Sequence, residues 1–320
     1  MDIDYLTEVR GHNKRLTARF MTLIENNDQA ALNQLKQFYL QYNSKEPHII
    51  GITGLPGAGK SSIINCLIRQ YRKKNLIVGI IAIDPTSPFT GGAILGDRIR
   101  MDEFALDNNV FIRSMASRGR LGGLAPATSA FIKILEVYGC DIIIVETIGT
   151  GQSETDIIGM ADSVILVTIP GSGDQIQALK AGVFEIADVF VVNKSDLPGK
   201  DKQILFIKQV LELDSEKKKS DWTPLVIETR ANEVNFEVNG INNLVTAISH
   251  HWNYLQESGD FKLKRKNKIR TELIAILQFF AVQQLLKEKN GSLINEAIEK
   301  INKNELDPYT FIHSFISSIR

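Results

Sequence analysis

Six short runs of Ile and Val constrain most strongly how this chain can fold. They lie at Ile49–Ile52, Leu76–Ile83, Ile142–Val145, Val164–Ile169, Val189–Val192 and Leu225–Ile227. Each has strand length, and none alternates apolar with polar residues as a half-exposed sheet does. Both faces of such strands must be covered, as in a parallel sheet flanked by helices. Segments between the runs, such as Ser61–Lys73 and Gln175–Ala187, are long enough for crossover helices. The pattern predicts an α/β fold with a doubly wound, mostly parallel sheet over residues 46–255.

The flanks have a different character. Residues 1–45 read as a helical extension, with Leu16, Phe20, Leu23 and Ile24 on one face. Leu32, Leu35, Phe38 and Tyr39 repeat that pattern after Asn26, Asn27 and Asp28. Residues 256–320 read as a C-terminal helical arm. Its basic run, Lys262–Arg270, reads as a solvated helix face leading into a stripe of Leu273, Ile276, Leu277 and Phe280. A second helix carries Leu293, Ala297, Ile298 and Ile301. A third opens at Asp307 and Pro308, an acceptor cap followed by a first-turn proline, and presents Phe311, Ile312, Phe315 and Ile316. Such amphipathic helices need a partner surface, either the α/β domain or a second copy of the chain.

Composition excludes several classes. Lys plus Arg and Asp plus Glu are 37 each, so the formal net charge is zero. That balance argues against broad electrostatic attachment to nucleic acid or anionic lipid. The longest apolar clusters, Leu76–Ile83 and Leu273–Val282, reach about half of a membrane span. The amino terminus is polar and unlike a signal peptide. Cys66 and Cys140 fit a reducing compartment and offer neither a disulfide framework nor a metal knuckle. The adjacent His250 and His251 read as a surface pair. The expectation is a cytoplasmic protein with no nucleic-acid or membrane partner.

The strongest chemical signal is Gly54, Leu55, Pro56, Gly57, Ala58, Gly59, Lys60 and Ser61, which fits the phosphate-loop (Walker A) pattern G-x-x-x-x-G-K-[ST]. A strand precedes it and a helix-like run follows. Glycines let backbone amides turn inward around phosphates, and the following helix adds its positive end. These residues and Ser62 form the expected nucleotide-binding loop. Lys60 is expected to reach the β- and γ-phosphates, and the Ser61 hydroxyl to coordinate Mg²⁺. Carboxylates near the metal come from strand tips. Glu146 ends the Ile142–Val145 run, where many nucleotide switches have Asp, and Gly149 follows to sense the γ-phosphate through its amide. Asp84 ends the Leu76–Ile83 run at the edge where such sheets bind ligands. Asp97 lies in a glycine-rich loop that can close on the metal. Lys60, Asp84 and Glu146 are the expected catalytic residues, and Ser61, Asp84, Asp97 and Glu146 the expected metal ligands.

A second element selects the base. The Val189–Val192 run leads into Asn193, Lys194, Ser195 and Asp196, an N-K-x-D sequence. The Asp196 carboxylate can accept from guanine N1–H and the exocyclic amine. Adenine leaves it unpaired, a mismatch of several kcal/mol. GTP and GDP are therefore the expected nucleotides. After the last run, Ala231 can present its amide to guanine O6, with Arg230 bulkier than usual beside it. No glutamine follows Gly149 directly to orient water, and Gln152 reads as structural.

These blocks resemble the MeaB/ArgK family of GTPases, chaperones of adenosylcobalamin-dependent acyl-CoA mutases such as methylmalonyl-CoA mutase. The resemblance runs over most of the chain. It takes in Arg15–Glu25, Gly51–Ser61, Asp84–Arg98, Arg113–Gly119, Val145–Glu154, Pro170–Lys180 and Asn193–Asp196. It implies a P-loop GTPase domain, a homodimer formed through the C-terminal arm, and a slow GTPase accelerated by a mutase partner. It also implies that Pro170–Lys180 is a switch loop, with Asp174, Gln177 and Lys180 at its polar positions and Lys180 contributing to catalysis in the partner-bound state. Arg230 and Pro126 depart from the pattern. The function implied is a GTP-hydrolysing switch that gates cofactor loading or protection. The rival readings are a nucleotide-dependent kinase or ATPase linked to basic amino-acid transport, a non-catalytic dimeric adaptor holding GTP or GDP, and a metal-insertion GTPase.

Overall fold

The computed structural model describes residues 3–40, 46–84, 103–116, 124–147, 159–171, 183–215, 221–233, 239–285 and 288–318. The chain divides into two compact units, Met1–Glu272 and Leu273–Arg320.

The first unit is built on a sheet of seven parallel strands. They are β1 (His48–Gly54), β2 (Val78–Asp84), β3 (Val110–Ala116), β4 (Ile142–Glu146), β5 (Ser163–Thr168), β6 (Val189–Val192) and β7 (Leu225–Glu228), in the spatial order β3-β2-β4-β1-β5-β6-β7. Successive residues feed two separate cores. Ile50, Ile52, Ile142, Ile144, Val189 and Val191 point to one, and Ile49, Ile143, Val145, Phe190 and Val192 to the other. Unbroken Ile/Val runs follow directly from that two-sided burial.

Three helices form the N-terminal extension: α1 (Tyr5–Arg10), α2 (Lys14–Glu25) and α3 (Gln29–Tyr39). Each opens on a side-chain cap, from Asp4, Asn13 and Asp28 respectively. They pack against α5 (Leu124–Val137) on one face of the sheet. Pro126 lies in the first turn of α5, where a missing N–H is tolerated. The short α6 (Val183–Ile186) and α7 (Lys200–Ser215) share this face through Phe184 and Ile207. The other face is covered by α4 (Lys60–Lys73) and α8 (Ile241–Ser258).

The sixfold pattern of runs misses β3. Its sequence, VFIRSMA, is broken by Arg113 and Ser114. This edge strand tolerates Arg113 because the guanidinium pairs with Glu25 of α2 at 2.8 Å and lies 5.6 Å from the Phe131 ring centre.

The amino edge of the sheet carries a repeated device. Asp141, Asp162 and Asp188 immediately precede β4, β5 and β6 or stand one residue from them. Their backbone amides donate to Ile77, Ile49 and Val164 carbonyls, and their carboxylates accept from the amides of the same three residues at 2.8–2.9 Å. Half of the basic run docks here, while Lys262, Lys266 and Arg270 stay exposed as a solvated face. The run lies within the continuous helix α9 (Asp260–Leu285). Lys264 reaches the Asp162 carbonyl and the Asp188 carboxylate, Arg265 reaches the Pro47 carbonyl and Asp162, and Lys268 pairs with Asp162. Buried carboxylates need such partners. His251 is no surface residue. It is 1% exposed, bonds Ser163 through Nδ1 at 2.7 Å and faces Asp188 through Nε2 at 3.3 Å. Burial alone would raise the Asp188 carboxyl, but His251 and Lys264 hold it below the usual range.

The second unit holds the later part of α9, then α10 (Glu288–Asn302) and α11 (Pro308–Ser318). Asp307 caps α11 through the Thr310 amide at 2.9 Å. Leu273, Leu277, Phe280, Leu293, Ile298 and Ile312 are all exposed in this unit. Among the described residues no helix is long and apolar enough to cross a membrane.

The amino edge generates a pH prediction. His48 donates to or accepts from Ser163 at 2.7 Å and is faced by Asp162, His251, Arg265 and Lys268. Burial pushes its ring down to about 3, outweighing the attraction of Asp162. The unfolded ring protonates near 6.5. Stability from this group is therefore complete above that pH and declines as pH falls below it. The expected decline is about 1.4 kcal/mol per pH unit until the folded ring titrates. Urea unfolding at pH 7 and 5.5 should show it, and His48→Gln should flatten the acid limb.

Candidate functional site

All seven strands end at the opposite, carboxyl edge. There β1 lies between β4 and β5, while the chain leaving it goes to β2 on the β4 side. This is the switch point, where loops part and leave a crevice. The loop between β1 and α4 occupies it. Gly54, Gly57 and Gly59 have φ of 139°, 77° and 92°, a region that favours glycine. A Cβ on Gly54 would stand 2.1 Å from the Val167 carbonyl oxygen, so strand β5 requires glycine there. Pro56 and Gly57 face outward, while Ala58 is buried. Gly59 caps α4 without a side-chain hydrogen bond, which leaves the first-turn amides to the loop.

Lys60 and Ser61 open α4 and are both buried, with Ser62 half-buried after them. Lys60 Nζ folds back over the loop and donates to the Gly54 and Leu55 carbonyls at 2.7 and 3.2 Å. Ser61 Oγ donates to Glu146 Oε1 at 3.0 Å, so the tips of β1 and β4 bring together a hydroxyl and a carboxylate predicted from sequence. Beside them the hydroxyls of Thr53 and Thr147 are buried with no hydrogen-bond partner among the described residues. Neither threonine was singled out by sequence, because a hydroxyl in a strand end carries no motif. Asp84 is the last residue of β2, at the same edge. Asp97, Gly149, Gln152 and Lys180 lie outside the described residues.

The element expected to select the base meets the candidate phosphate loop directly. Asn193, 2% exposed, donates from Nδ2 to the Ala58 carbonyl at 2.8 Å. Its Oδ1 accepts from Thr229 Oγ1 at 3.0 Å and from the Ala231 amide at 3.1 Å. One carboxamide thus joins the loops after β1, β6 and β7. Lys194 has a left-handed φ of 53° and donates from Nζ to the Gly57 carbonyl at 3.0 Å. The Cys66 thiol of α4 contacts the Ala231 carbonyl at 3.5 Å. A cavity of about 280 Å³ opens here, lined by Asn193, Lys194, Asp196, Leu197, Arg230 and Ala231, among others. That is close to the lower end of small-molecule sites, about 300 Å³. Asp196 is exposed on its wall, with no ion pair among the described residues. The Ala231 amide, expected to face guanine O6, is directed at Asn193. Thr229 is the binding-loop residue that sequence reasoning missed, since its partner Asn193 is distant in the chain.

Comparison with known proteins gives a consistent result. Residues 17–290 match the family model described as methylmalonyl-CoA mutase-associated GTPase MeaB. A candidate GTPase of Pyrococcus abyssi is 45% identical over 320 residues, covering 99% of this chain and 97% of that protein. The GTPase ArgK of Escherichia coli is 34% identical over 269 residues, covering 82% of this chain and 80% of its own length. A solved structure described as a LAO/AO transport system kinase superposes with a TM-score of 0.69 at 25% identity, covering 98% of this chain and 96% of that one.

Gly59 offers a direct test of the geometry. A Cβ there would lie 2.3 Å from Asn193 Nδ2, at a φ that L residues rarely adopt. Gly59→Ala should lower stability by roughly 1–3 kcal/mol of strain and weaken GDP binding at least tenfold. Adding Asn193→Ala should recover part of the stability, because it removes the clashing amide. A thermal melt with a GDP titration of both variants checks this.

Proposed function

This chain belongs to the MeaB family of GTPases, and on that premise we propose that it is a GTP-hydrolysing switch for an adenosylcobalamin-dependent acyl-CoA mutase of the methylmalonyl-CoA mutase type. In this reading the switch gates loading or protection of the mutase cofactor. One observation carries the guanine-nucleotide part: Asn193 bonds Ala58, so a base-reading element and a phosphate loop form one continuous site. The family's name, which associates it with methylmalonyl-CoA mutase, supports the partner.

In this reading the loop amides of residues 55–59 wrap the β-phosphate, and Lys60 compensates charge on the β- and γ-phosphates. The Asp196 carboxylate takes guanine N1–H and the exocyclic amine. The donors around Ser61 suit Mg²⁺: a hydroxyl and a carboxylate 3.0 Å apart, with two buried threonine hydroxyls alongside, are all hard oxygens. Ser61, Glu146, Asp84 and Asp97 would hold the ion, directly or through water. Bound Mg²⁺ would neutralise charge on the phosphates and orient them. Little covalent work falls to the protein, so positioning and electrostatics supply the rate. Lys180 would complete the site when the mutase is bound, which makes the isolated chain slow. The exposed apolar residues of the second unit would be covered by a second copy of the chain, giving a homodimer. The protein would act in the cytoplasm, without nucleic acid.

The deciding assay is GTP hydrolysis by the purified chain, with ATP as control, with and without such a mutase. A slow rate with GTP alone that rises severalfold with the mutase is expected. Fast turnover by the isolated chain, or turnover of ATP, would overturn the reading and restore the kinase alternative. Lys60→Ala should lower kcat by about 10²- to 10³-fold, the usual effect of removing one transition-state donor. An adaptor that uses the nucleotide only for shape would keep full protection of the mutase in that variant. Glu146→Gln should raise the Mg²⁺ concentration that half-slows GDP release by roughly tenfold, as expected for loss of an oriented ligand.

A further inference from the structure

Guanine presents two kinds of edge group to a protein. N1–H and the exocyclic amine are donors, and O6 and N7 are acceptors. Asp196 can serve only the donors, so a complete guanine site needs a donor for O6. Three donors of the base cavity have partners within the protein. The Ala231 amide donates to Asn193 Oδ1 at 3.1 Å. One hydrogen of Asn193 Nδ2 goes to the Ala58 carbonyl, and Lys194 Nζ goes to the Gly57 carbonyl. Arg230, an exposed residue on the cavity wall, brings further donors. Its backbone amide is fixed to the Asn239 carbonyl at 2.9 Å, and its Nε lies 3.4 Å from Ser195 Oγ, inside the Asn193–Asp196 loop. Its two terminal nitrogens make no hydrogen bond among the described residues.

Resting on the guanine reading above, we propose that Arg230 is a specificity-determining residue that donates to guanine O6, in the role expected of the Ala231 amide. The chemistry fits the residue type. A guanidinium cannot lose its charge, and it delivers charge-assisted hydrogen bonds in a planar fork, the geometry by which arginine reads guanine O6 and N7 in the DNA major groove. The tether to Ser195 holds that fork on the loop whose Asp196 reads the opposite half of the same base edge. Guanine is then gripped between an anion at N1–H and a cation at O6, and both contacts invert for adenine. Adenine has an unprotonated N1 where guanine has N1–H, and an exocyclic amine donor where guanine has O6. Arg230 thereby adds repulsion of the wrong base to attraction of the right one.

The test is calorimetric titration of GDP, 6-thio-GDP and ADP into the full chain and its Arg230→Ala and Arg230→Lys variants. Sulfur at position 6 is a weak acceptor, while N1–H and the exocyclic amine are retained. The wild type should bind GDP on the order of tenfold or more tighter than 6-thio-GDP, the worth of a charged hydrogen bond. Arg230→Ala should lose about 10- to 100-fold in GDP affinity and bring the GDP to 6-thio-GDP ratio within twofold of unity. Arg230→Lys should keep part of the ratio, as a point charge without the fork. A full ratio retained in Arg230→Ala would overturn the proposal and return O6 to the Ala231 amide. A wild type that fails to prefer GDP over ADP would instead sink the guanine reading itself, whatever Arg230 does. Arg230 is exposed, so thermal melts of the variants should match the wild type and exclude a folding defect as the cause.

Discussion

The buried carboxamide of Asn193 is the constraint on which the candidate nucleotide site depends. It touches three loops that the sheet order separates: the loop after β1, and those after β6 and β7, with β5 standing between. Each of its hydrogen bonds is worth about 1 kcal/mol net, but an unmet buried amide group costs more than a made bond gives. The loops must therefore converge with both ends of the amide satisfied. That requirement explains why Gly59 has no side chain: the amide nitrogen stands where its Cβ would be. It also explains the left-handed turn at Lys194, which swings the lysine stem back to Gly57. The candidate phosphate loop and the Asn193–Asp196 segment become one object because a single side chain would be left unpaired if they parted.

Much of this was legible in the sequence, for identifiable reasons. Two-sided burial in a parallel sheet permits no alternation, so six strands appear as plain Ile/Val runs. The candidate phosphate loop and Asn193–Asp196 are legible because each matches a motif of fixed residue types at fixed spacing. β3 was hidden because an edge strand can carry Arg113 once Glu25 and Phe131 receive it, and those partners come from distant helices. Within the run Lys262–Arg270, the inward role of Lys264, Arg265 and Lys268 was hidden for a related reason. Charge along a helix has the same appearance in sequence whether water or a buried carboxylate sits opposite, and Asp162 lies a hundred residues away. His251 fails the same way, since its partners Ser163 and Asp188 arrive through the fold. Thr229 and the occupied Ala231 amide were beyond reach too, because a hydrogen-bond partner is a tertiary fact.

The two edges of the sheet solve opposite problems, and the parallel topology sets both. At the carboxyl edge, chain leaves the strands and helices begin, so amides gather without partners and an anion is welcome. At the amino edge, strands begin and their first amides need acceptors. Asp141, Asp162 and Asp188 meet that need by the same reciprocal bracket, each closing the start of a neighbouring strand. The solution creates a new difficulty, because fully or nearly buried carboxylates need counter-charge. α9 supplies it with Lys264, Arg265 and Lys268, residues spaced to share one helix face. Burial is severe enough that it brings the Lys268 ammonium down to about 8 even beside Asp162. The start of α9 is thus held in register by charge that the strand beginnings require, and a slip of one residue would leave a buried carboxylate without a partner. Acids placed to begin strands cleanly become the anchors of a helix, while the opposite edge is left to the candidate phosphate loop.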